Sequence, residues 1–353
     1  MSFSLENLLR PHILGIKPYS SARDEYSGKE GVFLDANENP YGSLTGEPFN
    51  RYPDPYQLEI KEKLSFIKGV RPTQIFLGNG SDEAIDLLMR AFCIPGKDNI
   101  ILLPPTYGMY EVSASINDIA VKKVNLTADF QLKPKEIIES VDSCTKIIFI
   151  CSPNNPSGNK MKRQDIRSII AGFNGLVVVD EAYIDFSDEP SFTNELNDFP
   201  NLLVMQTFSK AWGMANLRIG MAFASEEIIR ILNLIKPPYN ISGLTQQKVL
   251  ESLEQANKIE ELVQKVLNEK DHLSKALEKL PFISHIYPSN ANFVLVKMSG
   301  AKKVYDHLIN DLIIVRDRSK VVLCDDCLRI SVGTEEENQK LIGELEKYVS
   351  QVL

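Results

Sequence analysis

Lys146-Ile147-Ile148-Phe149-Ile150-Cys151 is an apolar run headed by one lysine and closed by Pro153 and Asn154. Its apolar residues do not alternate with polar ones. It therefore reads as a strand covered on both faces, not one with a wet side. Leu176-Val177-Val178-Val179 repeats the pattern and ends in Asp180-Glu181, and Leu202 to Thr207 repeats it again. Ile100-Ile101-Leu102-Leu103 is an earlier strand of the same kind. A helical pattern opens at Gly80-Ser81-Asp82-Glu83 and runs to about Cys93, where Pro95-Gly96 stops it. Buried strands separated by helical stretches predict an α/β fold: a mostly parallel central sheet with helices on both faces.

Outward from that centre the pattern changes. Residues 1–30 carry Pro11, Gly15, Pro18 and Gly28, which break any long element, so they read as an N-terminal arm. Thr245 to Lys279 is charged and amphipathic and predicts one long helix linking two lobes. Beyond Pro281 the segments shorten. Strands are expected at 292–297, 311–315 and 328–332, with a closing helix over 335–353, which makes a smaller α+β lobe. The division expected is an arm over 1–30, a large domain over 31–275 and a small C-terminal domain over 276–353.

Composition narrows the class. The chain has 353 residues, 43% of them hydrophobic and 24% charged, as in ordinary soluble proteins. A net charge of -8 argues against a nucleic-acid partner, which would favour a basic surface. No apolar run reaches the roughly 18 residues of a membrane span, and Met1 to Arg10 lacks a signal-peptide pattern. Five scattered cysteines fit a reducing compartment, so a cytoplasmic location is expected. Cys324-Asp325-Asp326-Cys327 is a C-x-x-C, but zinc would need a second pair or nearby histidines. His12, His272, His285 and His307 are scattered. Two unpaired thiols near a turn, and no metal, are expected.

In open α/β sheets ligands sit beyond the carboxyl ends of the strands. Asn154-Asn155-Pro156-Ser157-Gly158, Asp180-Glu181-Ala182-Tyr183 and Thr207-Phe208-Ser209-Lys210 all follow predicted strands. Chain order alone thus gathers an amide, a carboxylate, a phenol and an amine on one rim. Pyridoxal phosphate requires such a set. Lys210 supplies the amine that condenses with its aldehyde. Asp180 keeps the ring nitrogen protonated, so that the ring can accept electrons. Asn155 and Tyr183 are candidates for the ring's phenolic oxygen, and Tyr107 for one ring face. For the phosphate there are the helix start at Gly80, Ser81 and Asp82, the hydroxyls of Thr207 and Ser209, and the guanidinium of Arg218. Taken singly each motif is ordinary: Asn-Pro-x-Gly is commonly a turn, and an acidic residue ending a strand is often a cap. No Gly-x-Gly-x-x-Gly follows a strand, which disfavours a nicotinamide enzyme.

In this order the motifs resemble the fold-type I pyridoxal-phosphate aminotransferases, over nearly the whole chain. Asp35-Ala36-Asn37-Glu38-Asn39-Pro40, Arg51-Tyr52-Pro53-Asp54 and Cys327-Leu328-Arg329-Ile330-Ser331 make it most similar to the histidinol-phosphate aminotransferase subfamily. The resemblance implies a homodimer, with Tyr52 reaching the cofactor phosphate of the other subunit. It implies that Arg329 holds the α-carboxylate of L-glutamate or 2-oxoglutarate. Arg316 would meet the phosphate of histidinol phosphate, and Tyr19 would close over the substrate. Lys210, Asp180 and Tyr183 are the expected catalytic residues. The alternatives are a transaminase of aromatic amino acids and a threonine-phosphate decarboxylase of the same fold. Asn216 stands where the lysine motif of such enzymes usually has a small residue, and would bear on the packing of a helix after Lys210.

Overall fold

The computed structural model describes residues 3–17 and 31–352. Strands β1 (Ile75–Asn79), β2 (Asn99–Leu102), β3 (Ala120–Lys123), β4 (Thr145–Cys151), β5 (Leu176–Asp180), β6 (Leu202–Thr207) and β7 (Ile219–Phe223) form one sheet. Its seven strands lie in the order β1-β7-β6-β5-β4-β2-β3. The pairs among β3, β2, β4, β5 and β6 are parallel. β7 alone runs against its neighbours β6 and β1. The expected mostly parallel sheet is therefore present.

The non-alternating runs are two-faced, as their pattern predicts. Ile148, Ile150, Val177, Val179 and Val204 enter one apolar cluster. Ile147, Phe149, Val178, Leu203 and Met205 enter another on the opposite face. Full burial of each such side chain is worth roughly 1.5–3 kcal/mol, so these strands hold the sheet's centre. Leu8, Leu9 and Ile13 of the N-terminal residues join the second cluster, beside the helix Gly80–Phe92.

A second sheet is made by β8 (Ile283–Ile286), β9 (Phe293–Met298), β10 (Arg316–Asp317) and β11 (Cys327–Ser331), in the order β10-β11-β9-β8. All its pairs are antiparallel. Leu328, Ile330, Val294 and Val296 pack under Leu273, Leu277, Leu308 and Leu345 of three helices. Phe293, Leu295 and Cys327 point the other way, into the apolar cluster of the large sheet. The small sheet is thereby seated against the large one.

Two expectations differ from the structure. Thr245 to Lys279 is not one helix but two, Gly243–Leu253 and Ile259–Leu277, parted by a 3₁₀ turn at Ala256–Lys258. No Gly or Pro marks the break. Val249 and Leu253 of the first helix enter the large-sheet cluster; the second packs its half-buried Ile259, Val263 and Leu267 on that same cluster and buries Leu273 and Leu277 under the small sheet. No strand forms at 311–315; a two-residue strand, Arg316–Asp317, follows instead. The preceding helix Ala301–Asn310 ends in a turn with Leu312 left-handed (φ 58°), which uses up those residues. Among the described residues no helix is long and apolar enough to cross a membrane.

Candidate active site

Asp180 ends β5, hydrogen-bonded on both sides: its strand pairs with Cys151 of β4 and Met205 of β6. Its carboxylate is buried and accepts the Tyr110 hydroxyl at 2.5 Å and the Ala182 N–H at 3.0 Å. Burial pushes its pKa up to about 6, against the pull of those two donors. A carboxylate kept this dry is costly unless a cation meets it.

Lys210 stands three residues past the end of β6, in the turn that leads back to β7. Its Nζ lies 5.5 Å from the Tyr183 ring centre. Burial and the guanidinium of Arg329 lower its pKa, against the pull of Asp180. A lowered pKa makes the neutral, nucleophilic amine more available. Thr207 and Ser209 flank it: the Thr207 hydroxyl accepts the Ser209 N–H at 3.1 Å.

Facing them is the start of the helix Gly80–Phe92. Arg218 is left-handed (φ 52°), and its carbonyl accepts the Gly80 N–H at 2.9 Å. Its guanidinium lies 4.0 Å from Asp82. Two glycines make this approach possible. A Cβ on Gly80 (φ +69°) would sit 2.8 Å from an Arg218 nitrogen, and one on Gly220 would sit 2.2 Å from the Ser81 nitrogen. The first helical turn, two hydroxyls and a guanidinium therefore bound one end of the cleft, as an anion requires.

Gly80, Ser81, Asp82, Tyr107, Asn155, Asp180, Tyr183, Thr207, Ser209, Lys210 and Arg218 all line one cleft, as do Cys151, Ala182 and Ala215. The Tyr107 hydroxyl donates to Asp82 at 3.2 Å. Asn155 accepts from Arg329 at 2.5 Å, which leaves its amide N–H groups to donate elsewhere. Tyr183 is buried edge-on against Phe293 of β9, 5.2 Å between ring centres. Arg329 and Phe293 are not themselves in the cleft lining; the small sheet touches it from behind, through Asn155 and Tyr183.

Not every expected residue converges. Arg316 is exposed and outside the cleft lining, although it lies directly opposite Arg329 in the β10–β11 ladder. Tyr52 is half exposed and stacks on Tyr239 at 4.6 Å, away from the cleft of its own chain. Tyr19 lies outside the described residues. Asn216 does not crowd a helix after Lys210: that segment is a turn with a 3₁₀ stretch, Ala215–Leu217, and Asn216 is exposed on it. Cys324 and Cys327 are free, buried thiols, pushed up by burial to about 12 and about 11.

Tyr110 had no assigned role in the sequence reading. The only signal for it was its place in Pro104-Pro105-Thr106-Tyr107-Gly108-Met109-Tyr110, next to a residue chosen for the ring face. Its bond to Asp180 spans 70 residues of chain and had no local trace.

The donor set fits a phosphorylated pyridine aldehyde. A buried carboxylate suits a protonated ring nitrogen, an amine of lowered pKa suits the aldehyde, and the glycine-lined Arg218 end suits the phosphate. Residues 27–345 match the family described as aminotransferase class I and II. The chain belongs to that family. Within it, a histidinol-phosphate aminotransferase of Cytophaga hutchinsonii is 56% identical over 348 residues, 99% of this chain and 100% of the relative. One from Bacteroides fragilis is 55% identical over 346 residues, 98% and 99% of the two chains. The fold of this aminotransferase also matches the structure of a Sinorhizobium meliloti histidinol-phosphate aminotransferase in complex with pyridoxal-5'-phosphate. That match has a TM-score of 0.80 and 20% identity, and covers 90% of each chain.

Proposed function

We propose that this aminotransferase moves an amino group between L-glutamate/2-oxoglutarate and imidazole-acetol phosphate/histidinol phosphate, in histidine biosynthesis, with pyridoxal 5'-phosphate as cofactor. The observation that carries the reading is Arg329. The small sheet brings its guanidinium to Asn155, beside the Lys210 amine. An anionic substrate group is thereby held next to a nucleophilic nitrogen. The full-length similarity to histidinol-phosphate aminotransferases favours this substrate pair over aromatic amino acids or threonine phosphate.

The bound cofactor supplies a carbonyl carbon that exchanges with the amino group and a ring that accepts electrons. Asp180 holds the proton on the ring nitrogen. Asn155 and Tyr183 orient the ring oxygen, and Tyr107 covers a ring face. Gly80, Ser81, Asp82, Thr207, Ser209 and Arg218 hold the phosphate. Lys210 Nζ would take the proton from the substrate Cα as base and give it, as acid, to the carbon that was the cofactor's carbonyl. Arg329 would hold the α-carboxylate and Arg316 the phosphate of the substrate, and Tyr19 would close over it. The assembly is a homodimer in the cytoplasm, in which the exposed Tyr52 serves the phosphate end of the other subunit.

Half-reaction spectroscopy tests the reading. Histidinol phosphate should convert the cofactor's absorbance to that of its aminated form, and 2-oxoglutarate should reverse it. Lys210→Ala should take up the cofactor but show no turnover. Conversion by phenylalanine and none by histidinol phosphate would transfer the enzyme to aromatic substrates.

A further inference from the structure

A third arginine, Arg318, shares one face of the small sheet with Arg316 and Arg329. In β11, Leu328 and Ile330 are buried in the small-lobe core, so Cys327 and Arg329 face the large sheet. β10 pairs with it so that Arg316 lies opposite Arg329 and Asp317 opposite Leu328. The Arg318 N–H donates to the Cys327 carbonyl at 2.9 Å, which continues the ladder by one step. Residues opposite one another in an antiparallel pair share a face. Arg316, Arg318 and Arg329 therefore lie on the side turned toward the cofactor cleft.

Among the described residues no carboxylate pairs with any of the three. Asp317 lies on the other face and accepts the Ser319 N–H at 2.8 Å. Arg318 is half buried, and its buried Nε has no hydrogen-bond partner among the described residues; the Nε of Arg329 is in the same state. Burial, with Arg329 and Arg316 adding to it, depresses the Arg318 pKa to about 10. Like charges gathered on one half-buried face with open donors are unfavourable in the protein alone. They become favourable when an anion of matching charge enters.

We propose that Arg318 determines specificity. With Arg316 and Arg329 it completes a three-guanidinium recess for a dianionic phosphate monoester, and favours that group over a carboxylate at the same place. The inference rests on the transamination reading above. A carboxylate carries one charge and uses one fork. A phosphate monoester carries close to two charges at neutral pH and has three acceptor oxygens, so it gains more from a third guanidinium.

The test compares wild-type holoenzyme with Arg318→Gln and Arg318→Lys. In single half-reactions, Arg318→Gln should lower kcat/KM for histidinol phosphate about 10–100-fold, the scale of one or two charge-assisted hydrogen bonds. The loss should lie in KM, with a smaller loss for glutamate. Inorganic phosphate, as a competitor against glutamate, should weaken in Arg318→Gln by a similar factor, and Arg318→Lys should recover part of both. The thermal midpoint should hold or rise, since a repulsive charge has been removed. Equal losses for both substrates, no loss, or a fallen midpoint without the substrate split would assign Arg318 a structural role and overturn the proposal. The two readings fail separately. If wild type ignores histidinol phosphate yet inorganic phosphate competes through Arg318, the recess stands and the transamination reading falls.

Discussion

Asp180 and Glu181 are adjacent, both acidic and both buried, and they do different work. Glu181 uses three donors: the Ser191 hydroxyl at 2.5 Å, the Phe192 N–H at 2.7 Å and the Gln206 amide at 3.0 Å. All three are neutral, and two belong to the segment following β5. Glu181 is a clamp that ties that segment to β6. Among the described residues Asp180 accepts only from Tyr110 and Ala182, and the rest of its acceptor capacity faces the cleft. Burial raises both pKa values. Alternation along a strand sends neighbouring side chains to opposite faces, so one dipeptide yields a clamp and an acceptor aimed at a ligand. A raised pKa is common to both. The unspent acceptor capacity is what separates the functional carboxylate from the structural one.

Within this pair the largest predicted effect falls on Asp180. Asp180→Asn should lower the rate of both half-reactions by about 10²–10³-fold, because a preorganised charge is lost. Stability should move the other way in cofactor-free protein. The folded pKa is raised from 3.8 to about 6, so the folded state holds this proton more tightly than the unfolded state. Stability from this group is then greatest at low pH, falls as pH rises from about 4 to about 6, and stays low above that. Removing the charge should make Asp180→Asn more stable than wild type at pH 7, on the order of 1–3 kcal/mol. Urea titrations at pH 4.5 and pH 7 check this. A variant that loses stability at pH 7 would make Asp180 a clamp like its neighbour.

How much of this was readable in the sequence depends on whether the signal is local. β2, β4, β5 and β6 appear close to where their apolar runs place them, because burial on both faces leaves an unbroken pattern. The residues at their carboxyl ends, from Asn155 to Lys210, follow from chain order and the geometry of parallel sheets. β3, with the sequence Ala120-Val121-Lys122-Lys123, was missed because an edge strand needs little apolar surface. The break before Ile259 was missed because no Gly or Pro marks it and the apolar pattern runs on across it, Val249, Leu253, Ile259 and Val263 all meeting one cluster. Tyr110 and Arg318 were missed for a related reason: the first acts over 70 residues, and the second is defined by a two-residue strand and by what fails to pair with it.

Glu181→Ala should give the next largest effect. It leaves the Ser191 hydroxyl, the Phe192 N–H and the Gln206 amide without their acceptor in a buried place. The expected cost is about 2–3 kcal/mol of unfolding free energy, read from a shifted urea midpoint at unchanged slope. Turnover per folded molecule should stay within about threefold, since Glu181 lines no part of the cleft. A large loss of turnover at wild-type stability would erase the contrast with Asp180.

Tyr110→Phe is the smallest change and sharpens the contrast most. It keeps the ring stacked on Phe149, 4.7 Å between centres, and deletes only the hydroxyl that donates to Asp180. That hydrogen bond favours the ionised carboxylate, so without it the Asp180 pKa should rise further above the usual carboxylate range. The fall in cofactor-free stability with pH should then extend to higher pH than in wild type. Turnover should drop about tenfold, the lower end of the range for one hydrogen bond to a charged group. If turnover falls and the pH window stays where it was, Tyr110 acts through packing alone. If the window moves, the hydroxyl sets the charge of Asp180, and two donors rather than three become the condition under which a buried carboxylate keeps capacity for a ligand.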